Sequence, residues 1–179
     1  TATKKLLKDV AETIGENYQK VNGAKIQGIY FEGPFFTEEH KGAQNPNYFS
    51  NPSLETFHEW QDAAKGLIKK IALAPEREGV KDFVRTITNE GVVVSLGHSN
   101  ATLAQAKEVV DSGATVFVHT YNGMSGLNHR EPGMVGAALS LEDVFAELIC
   151  DGHHVHPSAA KILVESRTPN EVALITDCM

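Results

Sequence analysis

The sequence predicts an α/β fold on a parallel sheet, and more narrowly a partial (β/α)8 TIM-like barrel with about six of its eight strands. Three observations predict it. Short apolar runs alternate with segments of helical period along the whole chain. Strict alternation of that kind implies a parallel sheet covered by helices. No GxGxxG or GxxxxGK(S/T) pattern follows any strand-like run, which argues against dinucleotide and P-loop folds. Finally, Glu32, His98, His119 and Asp177 each close a different apolar run. Polar groups at the carboxyl ends of several strands are the barrel arrangement, where one mouth collects the chemistry.

The elements follow in order. Residues 3–20 read as a helix, with Leu6, Leu7, Val10 and Ile14 on one stripe. Residues 26–31 (IQGIYF) read as a strand ending at Glu32. A long loop rich in Gly, Pro and Asn covers 32–51, and loops of that length are often functional. Residues 52–64 read as a helix with Ser53 as a candidate N-cap. Residues 70–74 form a strand, 78–89 a helix stopped near Gly91, and 92–96 a strand. Residues 102–112 form a helix capped by Asn100 or Thr102 and ended by Gly113. Residues 115–118 form a strand, followed by a second long Gly-rich loop over 121–133 and a short helix or turn over 134–139. Strands over 144–149 and 172–176 flank a helix over 157–166. A barrel of eight strands typically needs about 250 residues. The 179 residues here are therefore expected to form part of one barrel that does not close by itself.

Composition narrows the function. Hydrophobic residues make up 41% of the chain and charged ones 22%, with a net charge of −7, the profile of an ordinary globular domain. No Lys/Arg-rich run offers a footprint for a phosphate backbone, so no nucleic-acid partner is expected. No apolar run of about 18 residues suggests a membrane span. The amino-terminal TATKKLLKDV lacks the apolar core of a signal peptide. Cys150 and Cys178 read as buried thiols of a reducing, cytoplasmic compartment.

Five motifs carry possible chemistry. In GIYFEGPFF (28–36), Glu32 sits among aromatic residues, where a carboxylate needs a cation or a hydrogen-bonding partner. A salt bridge to a neighbouring strand competes with metal ligation. His98 in SLGHSNA and His119 in VHTYNGM each have a bland alternative, a ring bonded to a loop carbonyl. Two imidazoles and one carboxylate together suit a catalytic Zn²⁺ or Fe²⁺ with an open position for water. Asn122-Gly123 either cradles an anion with backbone N–H groups or makes a turn that needs those residue types. In CDGHHVHP (150–157), His154 and His156 form a possible His-x-His pair. Asp177 is either a general base or a helix N-cap. Arg130, in NHREPG, either forks onto a phosphate or pairs with Glu131. His40, His58 and His129 read as solvated.

These motifs, in this order, resemble the N-acetylglucosamine-6-phosphate deacetylase family of the amidohydrolase superfamily. The matching stretches are GIYFEGPFF, KGAQNPN, LAPE, GHSNAT, HTYNGM, REPG, DGHHV and ITD, spread from Gly28 to Asp177. The resemblance implies a hydrolase that removes the acetyl group from N-acetylglucosamine 6-phosphate. It implies Glu32, His98 and His119 as metal ligands and Asp177 as catalytic acid/base. It further implies His154, Asn122, Gly123, Arg130 and Gln44 as substrate-binding residues. The cofactor it implies is a divalent metal, Zn or Fe first and Mn or Co next, one or two per subunit. It implies a homodimer in which Arg130 can come from the partner subunit. Gln44 stands where the family often has histidine. The strand carrying the family's His-x-His or His-x-Gln pair has no counterpart here, nor has its small β-sandwich. The whole chain is thus expected to be one part of a single amidohydrolase barrel domain. Another amidohydrolase acting on a cyclic amide or nucleobase, and a non-catalytic sugar-phosphate-binding fragment, are the competing expectations.

Overall fold

The protein is described here from a computed structural model, which covers residues 3–177. Helices and strands alternate: α1 (Lys4–Asn17), β1 (Ile29–Phe35), α2 (Leu54–Ala63), β2 (Ile68–Leu73), α3 (Val80–Asn89), β3 (Val93–Leu96), α4 (Leu103–Val110), β4 (Val116–Phe117), α5 (Gly133–Ser140), β5 (Phe145–Ile149), α6 (Pro157–Ser166) and β6 (Val172–Ile175). Among the described residues the six strands form one sheet in sequence order, and every neighbouring pair is parallel. Each crossover places a helix on the same outer face, as in a barrel wall.

Local chemistry explains the boundaries. Ser53 accepts from the Thr56 N–H at the start of α2, and Thr102 forms a capping box with Gln105 at the start of α4. Thr102, not Asn100, is thus the cap. Outward strand residues pack beneath the helices: Phe31, Phe35, Ile71, Leu73, Val94, Leu96 and Phe117 are buried in one core with Phe57, Trp60, Phe83 and Ile87. Burying each such side chain contributes about 1.5–3 kcal/mol. Inside the curl, Lys70 of β2 pairs with Glu147 of β5. Strands lie about 4.8 Å apart, so in a flat sheet these two would be roughly 14 Å apart. The ion pair therefore depends on the sheet curling toward itself.

Three expectations need correction. Glu32 does not end its strand. β1 runs on through Gly33, Pro34 and Phe35, with a register shift between Glu32 and Phe35. Pro34 is tolerated because the irregularity between Glu32 and Phe35 relieves its missing N–H. The stripe of α1 is also rotated: Leu6 and Val10 are exposed, whereas Ala11 and Gly15 are buried and Leu7 and Ile14 pack beside them. A Cβ on Gly15 would stand 2.9 Å from the Ala63 carbonyl oxygen, so the approach of α1 to α2 requires glycine. Third, Cys150 is exposed at the end of β5, not buried; Cys178 lies outside the described residues.

Arg167 is a buried polar feature that the sequence did not advertise. Its guanidinium donates to the carbonyl oxygens of Ala138 (2.7 Å), Leu141 (2.7 Å) and Val144 (3.0 Å). These lie at the end of α5 and in the turn into β5, where helix carbonyls lack intrahelical partners.

Candidate metal centre

The sheet delivers Glu32, His98 and His119 to one point. Glu32 comes from β1, while His98 and His119 each stand two residues past a strand, β3 and β4. Both histidines adopt positive φ, 47° and 30°, and so does Asp177, two residues past β6, at 51°. Non-glycine residues rarely hold that conformation, and where they do the surroundings enforce it, often at functional sites. The repeated turn swings each side chain away from the strand direction.

The donor atoms form a small triangle. Glu32 Oε1 is 2.8 Å from His98 Nε2 and 3.3 Å from His119 Nε2, and the two Nε2 atoms are 3.2 Å apart. An ion about 2.0–2.1 Å from each donor in tetrahedral geometry would hold its donors about 3.3 Å apart. The group is the one set of three such side chains among the described residues whose donor atoms fit around one ion. It can hold a metal.

Backbone carbonyls fix the imidazoles in the required state. The Nδ1–H of His98 donates to the His40 carbonyl oxygen at 2.8 Å, and that of His119 to the Asn122 carbonyl oxygen at 3.1 Å. This leaves the Nε2 lone pairs facing Glu32, the second-shell arrangement of metal-bound histidines. The tautomers are assigned from these partners. Two lone pairs and a carboxylate oxygen at this separation repel unless a cation or proton lies between them. With a proton on Nε2 in place of a cation, hydrogen bonds from His119 and then His98 hold the Glu32 carboxyl well below the usual carboxylate range, against the effect of burial. Burial disfavours a charged His119. The Glu32 hydrogen bond and charge, with the charge of Asp177, outweigh it and raise its pKa above the ordinary imidazole value.

Small residues make room. A Cβ on Gly123 would meet His98 Nδ1 at 3.0 Å, and one on Gly42 would meet His98 Cε1 at 3.3 Å. Phe36, fully buried, sets its ring 4.4 Å from that of His98.

The remaining predicted residues are distributed around this centre. Asp177 is exposed, and its charge acts on His119. Gln44 is half-buried in the loop that Gly42 brings against His98. The Asn122 backbone N–H donates to the His119 carbonyl oxygen at 2.9 Å, and its side chain to the same oxygen at 3.2 Å. Asn122 thus uses its backbone N–H and one of its two side-chain amide hydrogens within its own turn, and Gly123 also meets the steric need beside His98. His154 is exposed, with its Nδ1 2.6 Å from Asp151 Oδ2. His156 caps α6 by accepting from the Ser158 N–H, and neither His154 nor His156 belongs to a cluster of three metal-ligating side chains among the described residues. Arg130 is exposed and forms no ion pair among the described residues. Its neighbour Glu131 instead accepts from the Leu103 and Gly133 N–H groups. Sequence reasoning missed Phe36 and the His40 carbonyl, because each contacts His98 across a long sequence separation. His58, expected in solvent, pairs with Glu90 at 3.0 Å.

A parallel β/α sheet curled around a Glu–His–His cluster is a metallohydrolase arrangement of the amidohydrolase type. No family model matches the chain. It is 42% identical over 170 residues to the N-acetylglucosamine-6-phosphate deacetylase of Vibrio furnissii, covering 95% of this chain and 42% of that protein. It is 43% identical over 157 residues to an N-acetylgalactosamine-6-phosphate deacetylase of Escherichia coli O157:H7, covering 88% of this chain and 41% of that one. It superimposes with a TM-score of 0.95 and 31% identity on a Mycobacterium smegmatis N-acetyl-D-glucosamine-6-phosphate deacetylase. That structure is an aspartate-to-alanine mutant in complex with N-acetyl-D-glucosamine-6-phosphate, and the match covers 100% of this chain and 46% of that chain. The chain spans less than half the length of the curated relatives it matches. Over the stretch it spans, its sequence and fold are similar to those of the N-acetylglucosamine- and N-acetylgalactosamine-6-phosphate deacetylases. Among the described residues, no helix is long and apolar enough to cross a membrane.

Proposed function

We propose that this chain carries the metal-binding half of an amidohydrolase that converts N-acetylglucosamine 6-phosphate and water to glucosamine 6-phosphate and acetate. The observation that carries the proposal is the triangle of Glu32, His98 and His119 donors, in a chain whose relatives are named as deacetylases of this substrate class. The chain would be one part of a single barrel domain, with further strands and a β-sandwich supplied by flanking sequence. The enzyme would be cytoplasmic and homodimeric.

Glu32, His98 and His119 would hold a divalent ion, Zn or Fe first and Mn or Co next, with one or two ions per subunit. Such an ion supplies Lewis acidity and lowers the pKa of a bound water from 15.7 toward about 7. The His40 and Asn122 carbonyls keep the two imidazoles in the ligating tautomer. Asp177 takes the proton of the attacking water as general base and returns it to the departing amine. His154 hydrogen-bonds the acetamide oxygen as charge develops there. Gln44 lies toward the acetamido group. Asn122, Gly123 and Arg130 hold the sugar phosphate, Arg130 reaching the site of the partner subunit.

The similarity to N-acetylgalactosamine-6-phosphate deacetylases favours one second reading, the C4 epimer as substrate. The test is a deacetylation assay on the protein that contains this chain. Substrates are N-acetylglucosamine 6-phosphate, its galacto epimer and unphosphorylated N-acetylglucosamine. Activity on the first above the others is expected. Asp177→Asn should nearly abolish turnover while metal content persists. Near-normal turnover in that variant, or equal rates with and without the phosphate, would sink the assignment.

A further inference from the structure

Glu76, in the turn after β2, gathers two other loops on one carboxylate. Its Oε1 accepts from the Thr37 hydroxyl and from the Asn100 N–H at 2.8 Å, and its Oε2 accepts from the Ser99 hydroxyl at 2.7 Å. Ser99 and Asn100 directly follow His98. Thr37 lies in the loop after β1, and that loop encloses His98. The Thr37 N–H donates to the His98 carbonyl oxygen at 3.0 Å, and the His40 carbonyl oxygen accepts from His98 Nδ1 at 2.8 Å. The Phe36 ring lies against the imidazole. Arg77, beside Glu76, donates to the Phe36 carbonyl oxygen. His98 also carries a φ of 47°, which persists only where its neighbours over-determine it.

We propose that Glu76 is a positioning residue of the metal centre. By clipping the loop after β1 to the Ser99–Asn100 backbone, it fixes the pose of His98 toward Glu32 and His119. The proposal rests on the reading of those three residues as metal ligands. Glu76 contacts none of the three side chains, so its effect passes through the loop that orients the His98 ring. Outer-shell partners of this kind are worth about 10–100-fold in metal affinity.

The test is Co²⁺ titration of the chelator-stripped protein that contains this chain, reading affinity by competition and the visible d–d absorption, with thermal unfolding alongside. The unmodified protein is expected to bind Co²⁺, and Glu32→Ala to lose that binding. Glu76→Ala should weaken affinity about 10–100-fold and alter the absorption band. Glu76→Gln, whose carbonyl can still accept from Thr37 and Asn100, should recover most of both. Glu131→Ala removes two backbone hydrogen bonds elsewhere and should lower the melting temperature without changing affinity or spectrum. If Glu76→Ala does not fold, Thr37→Val removes one bond of the clip, with a several-fold loss expected. Unmodified affinity and spectrum in the folded Glu76 variant, or in Thr37→Val where it stands in, overturn the proposal and leave the metal reading intact. A loss in Glu131→Ala equal to that in the Glu76 variant also overturns it. Failure of the folded, unmodified protein to bind Co²⁺ overturns both readings.

Discussion

His98 and His119 stand edge to face, with ring centroids 4.8 Å apart, planes at 84° and Nε2 atoms 3.2 Å apart. Each ring is held from behind by a backbone carbonyl through Nδ1. The pair is thus preorganised to present two lone pairs to one point, and Glu32 supplies the third donor. Removing a direct ligand should cost more affinity than the about 10–100-fold of an outer-shell loss. Glu32→Ala, His98→Ala and His119→Ala are each expected to weaken Zn²⁺ binding by at least about 100-fold. Calorimetry or competition with a chromophoric chelator measures it. A ligand variant with unmodified affinity would move the metal elsewhere.

The metal-free cluster should leave a pH signature in stability. The His119 pKa is raised above the ordinary 6.5. Its charged form therefore contributes stability that is fully present below 6.5 and lost as pH rises through the raised value. The Glu32 pKa is lowered from 4.5, so its contribution is present above 4.5 and lost as pH falls toward the depressed value. The cluster's stabilisation in chelator should peak between pH 4.5 and 6.5. Melting temperatures across pH, compared with His119→Gln, would show it as a difference curve that declines on both sides. Metal competes with the same proton, so affinity should rise about tenfold per pH unit below the raised His119 value.

Gly123 tests the steric side of the site. Its φ is +60°, and an added Cβ would stand 3.0 Å from His98 Nδ1 and 3.4 Å from the His40 carbonyl oxygen. Gly123→Ala is expected to cost about 1–2 kcal/mol from the left-handed backbone alone. It should also shift the imidazole and lower metal affinity about tenfold, a size typical of lost ligand support. Denaturant unfolding and metal titration separate the two effects. A stability loss with unmodified affinity would mean that the loop yields and His98 does not.

Much of this architecture is legible in the chain because it is written in local periods. The six strands and the caps at Ser53 and Thr102 rest on neighbouring residues. His98 and His119 stood out because imidazoles close to the ends of apolar runs have few packing reasons to be there. What stayed hidden depends on contacts across the fold. Ala11 and Gly15 carry the buried side of α1 because small residues allow close helix approach, which a hydrophobicity pattern cannot register. Pro34 signals the end of a strand in sequence, yet β1 continues past it through a register shift. The His40 carbonyl orients His98 across 58 positions, and a backbone atom has no sequence signature. Asp177 was legible as a strand-end carboxylate, but its exposure and its electrostatic reach to His119 depend on how the sheet curls.

Arg167 shows the same limit and gives a separable test of the scaffold. Its guanidinium is buried and donates to three carbonyl oxygens, those of Ala138, Leu141 and Val144. Arg167→Met leaves those acceptors without their charged donor, and each such bond contributes about 1.5–3 kcal/mol. The variant also removes the cost of burying a cation, so the loss falls below the sum. A net loss of about 3 kcal/mol is expected, or roughly 6–12 °C in melting temperature for a chain of this size. Lysine cannot reproduce the planar fork that reaches three directions, so Arg167→Lys should recover only a minor part. Neither change touches the loops that hold His98 and His119, so metal affinity of the folded protein should stay unmodified. Loss of affinity in a folded Arg167 variant would show that the turn between α5 and β5 is coupled to the metal centre. The Thr120 N–H, which donates to the Glu147 carbonyl oxygen of β5 at 2.7 Å beside His119, would be the route to examine.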